Sequence, residues 1–292
     1  MSKETEKIFL KMHEYMEQFD FDNEEQMEKE MQKFIQKLNN NEIEFEDEPR
    51  FQSDNLLEEA YNTTSKTKAI KLAKQALEIY PDNIDAECFI TEFEENQIKK
   101  LSKMEAIIEK AKKILEKDNV FERENIGHFW GMIETRPYMR ARNRKITILM
   151  DLGRYTEAIK ECEEMLNLCE NDNLGIRYTL MGLYCILEKF EECEKLYKKF
   201  NEYSAFMLFP MAIMYFKKGD YKKSKKFLKD VQEVNSHIIK ILKNDIAMLS
   251  NSEDIEYYAP GSIEEATIIV TDLLYLLGSV PSFITFMNLE LK

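Results

Sequence analysis

The sequence predicts an all-α protein: an array of antiparallel helix pairs closed by helical caps at both ends. Three observations carry this. Gly and Pro are scarce, eight and six in 292 residues, while 44% of the chain is hydrophobic and 33% charged, a helix-forming composition rich in Lys, Glu, Leu and Met. Apolar residues recur at three- and four-residue spacing through most of the chain. A short segment form, with a turn residue, an aromatic and a small residue three positions on, returns at a period of about 34 residues.

Residues 1–50 form the first region. Ile8, Phe9, Met12, Tyr15, Met16 and Phe19, then Met27, Met31, Phe34, Ile35 and Leu38, give two helical stripes joined near Asp20 to Glu25. NNNEIEFEDEPR at 39–50 combines an Asn run, an acidic run and a Pro, which reads as a loop or linker. These helices are expected to be a cap or mobile arm and are assigned no chemistry.

Residues 51–250 form the array. In KAIKLAKQALEIYPDN, Ala69 and Ala76 stand seven apart and Pro81 follows five later. GRYTEAIKECEEMLNLCENDN puts Ala158 in the small position, EKFEECEKLYKKFNE puts Cys193 there 35 residues on, and KGDYKKSKKFLKDVQEVNS puts Ser224 there 31 further on. The preceding aromatics are Tyr155, Phe190 and Tyr221. Small residues at such positions let two helices approach closely. The partner first helices fall at about 53–63, 137–152, 174–187 and 203–217, with a degenerate pair over 84–117 and a further helix at 237–249. The last region, 251–292, is a helical cap. Ser262 and Glu265 make a capping box before EEATIIVTDLLYLLG, which runs to Gly278, and a short helix follows Pro281.

These segments resemble tetratricopeptide repeats, and the resemblance implies a right-handed superhelix of antiparallel helix pairs. HFWGMIETRPYMRAR, then GRYTEAIKECEEMLNLCENDNLGIRY, and later YYAPGSIEEA are similar to a bacterial group of such proteins, over roughly residues 120–278. Some members of that group carry a cysteine-rich, zinc-binding SEC-C motif. No Cys follows Cys193 here, so that motif is absent. The resemblance implies fold rather than activity, and it marks Trp130, Glu134, Arg136, Tyr138, Arg140, Asn173 and Arg177 as motif positions.

The densest chemistry lies in 126–153, IGHFWGMIETRPYMRARNRKITILMDLG, which holds the only Trp and four of eight Arg. Pro137 starts a helix, Thr135 is its expected N-cap and Gly153 ends it. Met139, Ile146, Leu149 and Met150 form its apolar stripe. Arg136, Arg140 and Arg144 fall on one line of that helix, with Arg142 to the side. Such a column either reads a carboxylate or anion, or is ion-paired within the protein to Glu134 and nearby acidic helices. Trp130 either packs on it or fills a joint between helices. Arg177 and Tyr178 on the next first helix, and Tyr203 and Tyr215 on the one after, extend an Arg and Tyr surface, or are interhelix packing.

The expected function is a non-enzymatic protein-interaction module that binds a peptide or protein segment, acidic in character, in a concave groove. The alternative is a regulatory switch whose N-terminal helices move against the array, as in peptide-responsive regulators of this repeat type. A net charge of −14 disfavours nucleic acid. Three scattered His, no Gly-rich phosphate loop, no GxSxG and no HExxH leave no catalytic set. Five Cys without a CxxC read as reduced core residues, so no metal or other cofactor is expected. No apolar run is long enough for a membrane span and MSKETEKIF lacks the apolar core of a signal peptide, so a cytoplasmic protein is expected.

Overall fold

In the computed structural model, residues 3–40, 42–43, 48–244, 255 and 257–291 are described, with backbone alone at 3, 4 and 244. Among them are sixteen helices, packed largely as neighbouring pairs. They divide into two compact units, Met1–Gly153 with Asn167–Glu170, and Arg154–Leu166 with Asn171–Lys292.

Unit 1 contains α1 (Lys3–Met16), α2 (Glu24–Asn39), α3 (Pro49–Tyr61), α4 (Lys66–Ile79), α5 (Ile84–Glu92), α6 (Gln97–Lys117) and α7 (Arg136–Asp151). Short polar residues fix most starts. Asn23, Ser65, Asn83 and Asn96 each accept a backbone N–H three residues on, satisfying a donor that the helix itself leaves unpaired. Helix α7 starts at Thr135 and is followed by Gly153 at φ 67, as expected. The Thr135 hydroxyl, however, does not cap it. It donates instead to the carbonyls of Phe129 and Met132, pinning the preceding loop.

The small positions do what their size predicts. Ala73 and Ala76 have no exposed surface and Ala69 is 3% exposed, so α3 and α4 pack closely. Ser53 on α3 donates to the Ala76 carbonyl at 2.8 Å, and Asn83 donates to Ser53 at 2.9 Å. The loop from Asp118 to Thr135 consists of turns. The amides of Gly127 and Phe129 both donate to the Leu168 carbonyl, and the Glu170 amide donates back to Gly127.

Unit 2 runs through α8 (Tyr155–Leu168), α9 (Ile176–Ile186), α10 (Phe190–Phe200), α11 (Ala205–Lys217), α12 (Tyr221–Val234), α13 (Ser236–Asn244), α14 (Ile263–Asp272), α15 (Leu274–Gly278) and α16 (Ser282–Glu290). Ala158, Cys193 and Ser224, the three repeat positions, are all fully buried. Ser224 donates across its pair to the Ala212 carbonyl at 2.8 Å, as Ser53 does in unit 1.

Two boundaries differ from expectation. The apolar run before Gly278 is two helices broken at Leu273, because a continuous apolar run carries no period to mark a break. The capping carboxylate of Glu265 reaches the Gly261 amide and Asn235 rather than the Ser262 amide. The end of the helix expected at 237–249 lies outside the described residues. No helix among the described residues is long and apolar enough to cross a membrane.

Candidate functional site: the arginine face of α7

Arg136, Arg140 and Arg144 project from α7 at successive turns, and all three meet carboxylates within unit 1. Arg140 is the centre. Its Nε and Nη2 donate to the two oxygens of Asp85 on α5 at 2.9 and 2.6 Å, a bidentate fork, while its Nη1 donates to Glu6 of α1 at 2.8 Å. Asp85 and Glu6 are 3% and 5% exposed, so these charges are withdrawn from water and depend on one another. Burial alone would lower the Arg140 pKa; the bonds and charges of Asp85 and Glu6 outweigh it and hold the guanidinium above its ordinary value.

Arg136 lies one turn earlier and is buried. Its Nη1 also reaches Glu6, at 3.4 Å, its Nε donates to the Trp130 carbonyl at 3.0 Å, and its guanidinium sits 5.3 Å from the Trp130 ring. Arg144, one turn later, donates to Glu92 at 2.6 Å and to the Tyr61 hydroxyl at 3.0 Å. Its Nη1 is buried 3.8 Å from Asp85 with no hydrogen-bond acceptor among the described residues. Burial raises the Tyr61 pKa, against the pull of Arg144.

The column is therefore ion-paired, with Glu6, Asp85 and Glu92 rather than with Glu134. Glu134 is exposed and lies with Arg140 at the edge of a cavity of about 170 Å³ bounded by α1, α3, α5, α6 and α7. Tyr138 is 5% exposed and packs in an aromatic group with Phe121 and Phe129, while Arg142, off the line, lies over the Tyr138 ring at 5.5 Å. Trp130 both packs on the column and is half-buried.

The other candidates lie in unit 2. Arg177 donates to Asp172 and Glu202 at 2.9 and 2.8 Å and lies 4.2 Å from the Tyr178 ring, whose hydroxyl donates to Glu202 at 2.8 Å. Asp172 also accepts the first backbone amides of α9, from Ile176 and Arg177. Burial would raise Glu202, yet its carboxyl is held below the usual range, with Tyr178 and Arg177 both donating to it. This closed knot fixes the entry to α9. Asn173, beside it, is exposed. Tyr203 is exposed, whereas Tyr215 is buried and stacked on Phe227 at 5.4 Å.

Sequence reading missed Glu6, Asp85, Glu92 and Tyr61. The N-terminal helices, expected to carry no chemistry, supply one of the two buried carboxylates on Arg140. The available signals were a Glu one turn before Leu10 on the apolar side of α1, and an Asp inside the apolar start IDAECF of α5. All five cysteines are buried and free, and no group of three or more His, Cys, Asp and Glu among the described residues is placed to hold a metal ion. Compared with family models and with curated protein sequences, the chain matches neither.

Proposed function

We propose that the chain is a non-enzymatic, tetratricopeptide-like protein-interaction module that binds an acidic protein segment at the Arg136–Arg140–Arg144 face. One observation carries this reading: three guanidinium groups on one helix line take three carboxylates from two other helices, Glu6 of α1 and Asp85 and Glu92 of α5, at successive turns. Arginine forks suit planar carboxylates, and a face already shaped to hold several of them suits a chain that presents more. The buried small residues at the repeat positions support the repeat class. A second reading, a switch in which the N-terminal helices move, is favoured by Glu6, because one of the carboxylates on Arg140 arrives from α1.

The test is co-purification with the wild-type protein and with an Arg136→Lys, Arg140→Lys variant, which keeps the charge and loses the fork. Loss of a specific acidic partner by the folded variant is the expected result. Retention of the same partners by both proteins would overturn the reading.

A further inference from the structure

The Arg face of unit 1 is covered by the chain's own first helix, and the manner of covering describes what else would fit. Glu6 enters between Arg136 and Arg140 with 7% of its side chain exposed. One turn on, Leu10, 7% exposed, faces the cavity of about 170 Å³ beside Ile84, Leu115 and Tyr138. At the rim Lys7 donates to Asn55, and Lys11 lies 5.2 Å from the Phe51 ring. Past Leu10 the same line of α1 reaches solvent, with His13 and Glu14 exposed and Phe9 beside it 38% exposed, while the opposite face meets α2 through Tyr15 and Phe34. Contact with α3, α5 and α7 runs through Glu6, Lys7, Leu10 and Lys11, and a cavity remains beside Leu10 that α1 does not fill.

We infer that α1 is an internal occupant of a site whose external ligand is an amphipathic helix carrying a carboxylate one turn before a large aliphatic side chain. This rests on the acidic-segment reading above and names its ligand class. The carboxylate takes the Arg136 and Arg140 donors now bonded to Glu6, and the aliphatic group takes the Leu10 position and the cavity beside it. A helix-in-groove ligand is read by such i, i+4 anchors. Being tethered, α1 competes at a high effective concentration, so an external helix binds the intact chain weakly until α1 is displaced.

The test titrates the full chain into two labelled peptides: residues 3–18 of this sequence, and an unrelated amphipathic helix with a Glu–Leu pair at the same spacing. The proteins are wild type, Glu6→Lys, whose first helix is repelled by Arg136 and Arg140, and Glu6→Gln, which removes the charge with less risk to folding. Melting curves establish that each is folded. Both peptides are expected to bind the Glu6 variants at least about tenfold more tightly than wild type, and a peptide with Lys in place of Glu6 is expected to lose that gain. If both peptides bind all three proteins equally, and do so through Arg140, internal occupancy is overturned while the acidic-segment reading stands. If neither peptide binds any folded protein, both are overturned.

Discussion

The Asp85→Ala substitution tests whether the Arg face is built on a buried counter-ion. Asp85 is 3% exposed and accepts both halves of the Arg140 fork, at 2.9 and 2.6 Å, with Arg144 a further 3.8 Å away. Removing one partner of a buried ion pair costs about 3–5 kcal/mol, because the remaining charge stays desolvated without compensation. Here Glu6 still meets Arg140 at 2.8 Å, which places the loss at the lower end, about 3 kcal/mol. Loss of a carboxylate in the first turn of α5 acts in the same direction through the helix dipole, by less than about 1 kcal/mol. For a unit of roughly 150 residues, about 3 kcal/mol corresponds to a midpoint lowered by about 6–12 °C.

Trp130 is the only tryptophan and belongs to unit 1, so its fluorescence reports the melting of that unit. The Asp85→Ala transition should move down by that amount. In an Asp85→Ala, Arg140→Ala double variant the loss should be smaller than the sum of the single losses, by about 0.5–3 kcal/mol. A shift below about 2 °C, or strictly additive losses, would show that Asp85 and Arg140 do not depend on one another and would refute the description of the site.

Burial pushes the Cys88 thiol up to about 12, against about 8.5 in an unfolded chain. Its contribution is therefore complete below about pH 8.5 and lost as pH rises toward 12; denaturant midpoints followed by Trp130 should fall over that window less steeply in Cys88→Ala than in wild type. At pH 8 none of the five buried thiols should react with an aromatic disulfide reagent until denaturant is added. In unit 2, a Cβ added at Gly182 would collide with the Tyr275 hydroxyl, which is itself buried without a hydrogen-bond partner among the described residues. Gly182→Ala should cost about 1–3 kcal/mol by overpacking, Tyr275→Phe should be neutral or stabilising, and calorimetry of the combined variant should show most of the Gly182→Ala loss recovered.

What was legible in the sequence follows from the range of the forces involved. Helix faces are local, and the periodicity of Met139, Ile146 and Leu149 is enough to orient α7, since all three are 1% exposed. Helix pairing was legible because Ala76, Ala158, Cys193 and Ser224 mark close approach by size alone. The Arg line was equally local. Its partners were not: Glu6 and Asp85 stand 134 and 55 residues from Arg140, and nothing in a single chain encodes which of many acidic residues arrives. The loop before α7 was illegible for the same reason, its conformation being set by Leu168 and Glu170 through backbone bonds that carry no residue preference.

The two carboxylates on Arg140 are not equivalent, and the difference bears on function. A buried ion pair is a poor stability device, because well-packed apolar residues of the same volume often do as well or better; its distinct contribution is geometric. Asp85 takes the Nε and Nη2 donors as a fork from within the α5–α7 contact and so sets the plane of the guanidinium. Glu6 takes the remaining Nη1 of Arg140 together with Nη1 of Arg136, and arrives on a different helix, α1. Displacing Glu6 leaves Arg140 charge-compensated and already oriented, with one donor directed at the vacated position. An incoming carboxylate would meet a fixed Arg140 donor rather than a mobile side chain, and would also have to replace Glu6 beside the buried Arg136. Arg140 thus has its two counter-ions on separate helices, Asp85 on α5 and Glu6 on α1, and it is Glu6 that the proposed carboxylate ligand would replace.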